Sequence, residues 1–201
     1  MFGGSMEYTH RIIHFTFKVF SYLRCMSDQR KVNLRFFRQN VLQTKSKFRR
    51  FLSRVQKQTP RGIRKLTAKL EAEVWNEVDC LSCANCCKKM SPTFTNADVK
   101  RISAHFGQTP DEFRQKWLFK EKGENGDWLN KKQPCQFLNL TNNKCSIYEI
   151  RPADCVGFPH LPKRISDYAH VHKQNLEYCP ATHKLVEKMF VAINTGSSLK
   201  G

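Results

Sequence analysis

The sequence predicts a mainly α-helical protein with a small antiparallel β element, built as a small metal-centred domain preceded by a basic amphipathic helical arm. Three observations lead there. Apolar residues recur at helical spacing over residues 34–55, 63–74 and 181–193. Short apolar runs with turn residues between them fall between 128 and 148. Eight cysteines stand in an ordered series from Cys80 to Cys179.

At 201 residues the chain holds one domain of ordinary size and an appendage. The expected division is an N-terminal extension over 1–25, a basic helical arm over 26–77, a cysteine-cluster domain over 78–193 and a flexible tail over 194–201. Met6 and Met26 are alternative starts, which makes 1–25 a dispensable extension and Cys25 an unpaired thiol. The apolar stretch Ile12–Leu23 is interrupted by His14 and Lys18. It is too short and too charged for a bilayer span, and no small-residue cleavage site follows it. The expected location is therefore cytoplasmic, where thiols stay reduced and bind metal rather than pair as disulfides.

The formal charge of +18 is concentrated. Fourteen Lys and Arg residues lie between Arg30 and Lys69 with no Asp or Glu among them, whereas the rest of the chain is nearly balanced. Leu34, Val41, Phe48 and Val55 recur every seven residues, with Phe37 and Phe51 on the adjoining line, and Pro60 stops the run. The ordinary reading packs this apolar stripe on the domain and leaves the cations in solvent. The functional reading sets residues 30–70 against an anionic partner: RNA, an acidic protein or a membrane surface.

Ile63, Leu66, Leu70 and Val74 predict a second helix after Pro60-Arg61-Gly62. Thr95 reads as the N-cap of a helix through Val99, Ile102 and Phe106, with Gly107 as its stop. Thr109-Pro110-Asp111-Glu112 opens another, carrying Phe113, Trp117 and Leu118 inward. Trp128–Asn130, Cys135–Leu138 and Cys145–Tyr148 read as short strands, the last two joined through Asn142-Asn143-Lys144. Ala181–Ile193 reads as a last helix.

The chemistry lies in Cys80-Leu-Ser-Cys83-Ala-Asn-Cys86-Cys87, followed by Cys135, Cys145 and Cys155 at intervals of ten and by Cys179. Cysteines two residues apart form a bite for one ion, because the intervening turn allows the roughly 4 Å sulfur separation of tetrahedral coordination at about 2.3 Å. The run is as close to an iron–sulfur ligand series as to a zinc knuckle, and spacing leaves the metal open between zinc and iron. Cys86 and Cys87, as neighbours, are expected to diverge, which favours two sites or one cluster with further thiols. Lys88, Lys89, Lys144 and Arg151 are placed to balance thiolate charge. His160, His170, His172 and His183 are read chiefly as surface or packing residues, with His160 and His183 the better ligand candidates.

With Pro134-Cys135-Gln136-Phe137-Leu138, the element Ile147-Tyr148-Glu149-Ile150-Arg151-Pro152 and Cys179-Pro180, the pattern resembles the YkgJ-type cysteine-cluster family over about residues 78–182. The resemblance implies a domain that chelates zinc or iron, with Cys80, Cys83, Cys86, Cys87, Cys135, Cys145, Cys155 and Cys179 as metal ligands. Val156 departs from it, since many relatives carry arginine there. The basic arm lies outside the resemblance.

No serine triad, methyl-donor glycine fingerprint or phosphate-cradling loop is present in the sequence, so no catalytic residue is assigned. The function expected is metal chelation through eight cysteines. The alternative is an iron–sulfur redox protein or an accessory subunit of a protein-modifying, methylase-like enzyme.

Overall fold

The computed structural model describes residues 32–123 and 126–196. The expectations for 1–25, with Cys25, and for the end of the tail lie outside the described residues. Helix α1 spans Leu34–Lys57. Asn33 caps it by accepting from the backbone N–H groups of Arg35 and Phe36 at 3.1 and 3.0 Å, which satisfies two donors that a helix start leaves open. Its stripe of Phe37, Val41, Phe48, Phe51, Leu52 and Val55 is buried.

Gly62 then turns the chain at φ 74°, a left-handed conformation natural to glycine. Helix α2 follows over Ile63–Glu77. Its Ile63, Leu66, Leu70 and Val74 share one core cluster with Phe48, Phe51, Leu52 and Val55 of α1 and with Leu185, Val186 and Met189 of the C-terminal helix α9, Pro180–Asn194. Salt bridges line the edge of this packing: Lys188 to Glu73 and Glu77, both at 2.9 Å, and Lys184 to Glu77 at 2.7 Å. The amphipathic helix thus turns its apolar side into the domain, as the ordinary reading of its pattern expects.

Two very short helices follow, α3 (Cys80–Cys83) and α4 (Asn85–Lys89). A second core cluster lies beyond them, made of Phe94, Val99, Ile102, Phe113, Leu118, Phe137 and Ile147. It joins helix α5 (Asn96–His105) and helix α6 (Pro110–Trp117) to a three-stranded antiparallel sheet. Strands β1 (Thr93–Phe94), β2 (Leu118–Lys120) and β3 (Trp128–Asn130) are ordered β1-β3-β2, with Leu129 opposite both Thr93 and Phe119. Capping boxes start both helices, Thr95 with Asp98 and Thr109 with Glu112. Helices α7 (Ala153–Gly157) and α8 (Ala169–Asn175) complete the chain before α9.

The mainly helical class with a small antiparallel element is present, but two of the expected strands are not. Cys135–Leu138 and Cys145–Tyr148 share only the isolated bridge Leu138↔Cys145, and Tyr148–Ile150 is a single 3₁₀ turn. Their pairing is limited to the bonds around that bridge, Ser146 N–H to the Phe137 carbonyl and Asn139 N–H to the Lys144 carbonyl, both at 2.8 Å, because the Cys135 N–H at the start of the segment donates to the Cys87 carbonyl at 2.8 Å instead. Among the described residues no helix is long and apolar enough to cross a membrane.

Candidate metal centre

Asp79 caps α3 through a 3.0 Å bond from the Leu81 N–H. Ala84, at φ 46° and ψ 20°, is the joint between α3 and α4. This left-handed joint lets two helical turns follow each other directly, so Cys80, Cys83, Cys86 and Cys87 all lie on a tightly folded eight-residue stretch. Asn85 is buried and donates to the Tyr178 carbonyl at 2.7 Å. That bond ties the stretch to the residue before Cys179. Cys179 opens α9, its Sγ accepting from the Thr182 N–H at 3.4 Å.

On the other side, the Cys87 carbonyl holds the Cys135 N–H, and Asn130 donates its Nδ2 to the Cys135 Sγ at 3.3 Å. Cys155 sits on α7, which follows Pro152 as the sequence suggests. Asp154, its neighbour, accepts from the Thr93 N–H at 3.1 Å. The buried Asp98 accepts from the Ala153 N–H at 3.1 Å. These two bonds dock the Cys155 helix on β1 and α5.

A cavity of about 290 Å³ lies between these segments, and Cys80, Cys86, Cys87, Cys135, Cys145 and Cys155 all line it. Its remaining wall is largely apolar, with Trp75, Phe94, Phe137, Ile147 and Phe158 among the lining residues. Cys83 and Cys179 are buried outside that lining. All eight are free thiols. Contrary to the expected divergence, Cys86 and Cys87 both line the same cavity, and their Sγ atoms are 3.9 Å apart. That is close to the sulfur separation of a tetrahedral thiolate site.

Electrostatics sorts the thiols into two neighbourhoods. Burial pushes the Cys80 thiol up to about 12, with the charges of Cys179 and Cys83 adding to it. Cys80 as a residue is exposed, so the crowding is local to its sulfur. Burial also raises Cys83 and Cys179. Cys87 is raised by its contact with Cys86 and then by burial. Cys155 is raised by burial and by Cys87, Asp154, Cys135 and Cys145. Cys135 and Cys145 are raised by burial, each also feeling Cys87. Cys87 therefore lies within reach of both neighbourhoods.

Of the four expected compensating cations, Lys88 acts on Cys83 and Cys87, and Arg151 on Cys145. Arg151 also lies over the Tyr148 ring at 3.9 Å and donates to the Tyr148 carbonyl at 2.5 Å, a structural anchor.

Whether these residues suit a metal ion is answered in two parts. In chemistry they do: eight free thiols, two buried, five half-buried and one exposed, form a soft donor set of the kind that zinc and iron prefer. In distance they form an open set. Among the described residues no three His, Cys, Asp or Glu groups stand close enough to hold a metal ion. The histidines do not close it. His183 Nε2 lies 2.8 Å from Thr44 Oγ1, between Phe37 and Phe48, and His160 Nε2 lies 3.5 Å from Asp154 Oδ1. His172 is fully buried with both ring nitrogens unpaired.

The family described as "CxxCxxCC: Putative zinc- or iron-chelating domain" matches residues 79–181, just over half of the sequence. The chain belongs to this family. An uncharacterized protein of Methanocaldococcus jannaschii is 30% identical to it over 76 residues, 38% of this chain and 41% of that protein. The chain thus spans about two fifths of that relative's length. No solved structure matches. The matched span contains all eight candidate ligands and begins after α2, so the family does not include the basic helix.

Sequence reasoning missed the residues that brace the thiols: Asn85, Asn130 and Asp98. A signal for each was present. Asn85 is a polar residue in the middle of the cysteine run, Asn130 ends an apolar strand, and Asp98 completes the Thr95 capping box.

Proposed function

We propose that this protein chelates zinc or iron through its cysteine thiolates, in two adjoining groups. Cys80, Cys83 and Cys179 form one group, and Cys86, Cys87, Cys135, Cys145 and Cys155 the other, with Cys87 between them. The observation that carries this reading is that six thiols from four separated segments line one cavity, while Cys83 and Cys179 are the buried neighbours of Cys80. These thiolates would ligate the metal, and in small metal domains such ligation contributes about 10 kcal/mol or more of folding free energy. The chain's own residues do the rest. Asn85 and Tyr178 fix one group, Asn130 and the Cys87 carbonyl fix the other, and Lys88 and Arg151 offset negative charge.

The free thiols agree with a reducing, cytoplasmic location. A second reading, an iron–sulfur centre serving redox chemistry or a protein-modifying enzyme, is favoured by the size of the cavity, since about 290 Å³ is room for more than one ion. The charge of α1, uncompensated in sequence, supports an anionic partner for the basic face.

The test is purification of the full chain without oxygen, followed by elemental analysis and a visible spectrum. Zinc with no colour supports the first reading, and iron with broad visible absorption supports the second. A chain that carries neither metal after growth with both in excess would overturn chelation.

A further inference from the structure

The packing of α1 leaves its outward face as a row of cations. Arg49, Arg50, Arg54 and Lys57 of α1, with Lys173 of α8, line a groove of about 620 Å³ whose other walls are Ser53 and Gln58. No carboxylate lines it. Glu177 pairs with Lys45 at 2.7 Å and with Arg49 of the groove at 3.4 Å. Arg54 donates to the Asn194 side chain at 3.2 Å and Lys173 to Gln56 at 3.3 Å. Neither Arg50 nor Lys57 has a hydrogen-bond or ion-pair partner among the described residues. Like charges gathered in a concave surface focus a positive potential that water and salt only partly offset.

We infer that this groove binds the phosphodiester backbone of nucleic acid, without regard to sequence. The inference rests on the reading of the basic face as the side that meets an anionic partner, and it names that partner. Four features favour nucleic acid. Arg50, Arg54 and Lys57 recur at i, i+4 and i+7, spaced about 6 and 4.5 Å apart along the helix axis, as a regularly charged strand requires. Three of the five cations are arginines, whose planar fork matches phosphate.

The apolar stripe of α1 is already buried in the core, so at the groove the helix has no apolar face to sink into a bilayer. The exposed Phe36 and Leu42 are two isolated apolar side chains on the N-terminal half, and neither lines the groove. Finally, no aromatic side chain lines the groove, which leaves phosphate contact without base stacking. The segment that precedes α1 is itself net basic, with Arg11, Lys18, Arg24, Arg30 and Lys31 against Glu7 and Asp28, and so is a poor occupant.

The experiment is a fluorescence-anisotropy titration of a labelled 20-nucleotide RNA with the full chain between 50 and 250 mM NaCl. The groove variant is Arg50→Glu with Lys57→Glu, and the control carries the same charge change at Lys120→Glu with Lys132→Glu. We expect affinity to fall linearly with salt on a double-logarithmic plot, and the groove variant to lower that slope by about two, one for each phosphate contact removed. The control should keep the parental slope. Circular dichroism melting checks folding, and Arg50→Gln with Lys57→Gln serves if charge reversal unfolds the helix.

Absence of RNA binding at 50 mM salt, or equal slopes for the groove and control variants, overturns the inference. Titrations with vesicles containing phosphatidylglycerol and with polyglutamate separate the two levels. Binding to either of these but not to RNA leaves an anionic partner standing and removes nucleic acid, whereas no binding to any of the three removes both. Metal content plays no part in these readouts.

Discussion

Asn85 Nδ2 donates to the backbone carbonyl of Tyr178 at 2.7 Å, joining the middle of the cysteine run to a residue 93 positions later and next to Cys179. Asn85 is only 4% exposed, and its Oδ1 has no partner, so this one bond fixes the amide. Through it two thiol-bearing segments that are distant in sequence become neighbours.

Asn85→Ala is therefore expected to lower stability by about 1–3 kcal/mol, the cost of a buried hydrogen bond lost with one partner left behind. Urea denaturation of the parent and the variant measures it. A loss under a few tenths of a kcal/mol would mean that the Tyr178 segment is held in place by other contacts.

Asp98 anchors the Cys155 helix from the opposite side. Burial alone would raise its carboxyl, yet the Thr95 hydroxyl and N–H, the Ala153 N–H and Arg101 hold it below the ordinary aspartate value. The folded group keeps its charge to lower pH than the unfolded one, so its contribution is present above the unfolded value and is lost as pH falls through the folded one. Asp98→Ala should cost about 2–3 kcal/mol at neutral pH, since hydrogen bonds to a charged group are the stronger kind. The loss should shrink in strong acid. A pH series of thermal melts checks both statements.

His172 gives the opposite kind of pH signal. Burial, with the charges of His160 and His170, lowers its pKa from 6.5 to about 4, so the folded chain holds it neutral. Between those values the unfolded chain binds a proton that the folded chain does not. Stability is then full above pH 6.5 and falls by about 3 kcal/mol as pH drops toward 4. His172→Leu should flatten this part of the profile, and an unchanged slope would assign the acid sensitivity to other groups.

How far the sequence carried this account depends on the kind of interaction involved. The periodic stripe from Phe37 to Val55 and the Thr95 and Thr109 caps act within a few residues, so their helices were legible to within about one residue. The Cys135–Leu138 segment pairs with its expected neighbour over a single bridge, since the Cys135 N–H goes to Cys87, a bond across 48 positions that no local pattern announces. The turn that carries Cys86 and Cys87 starts at Ala84, an alanine in a conformation that its residue type does not favour, so neither that turn nor the 3.9 Å approach of the two sulfurs was legible. The cysteines themselves could be picked out as candidate ligands by spacing, whereas Asn85, Asn130 and Asp98, which brace them, became visible only once the segments were in place.

The two thiol groups should also separate by mutation. Cys145→Ser is expected to lower the metal content of one group while leaving the other bound, and Cys179→Ser the reverse. Each should remove about half of the metal, as elemental analysis of the purified variants reads it. Total loss from either substitution would instead indicate a single centre that draws on both groups.

The most direct test is X-ray absorption at the metal edge of the anaerobically purified full chain, which reports the atoms around the metal. The account predicts a first shell dominated by sulfur at about 2.3 Å. A first shell of nitrogen and oxygen without sulfur would contradict it.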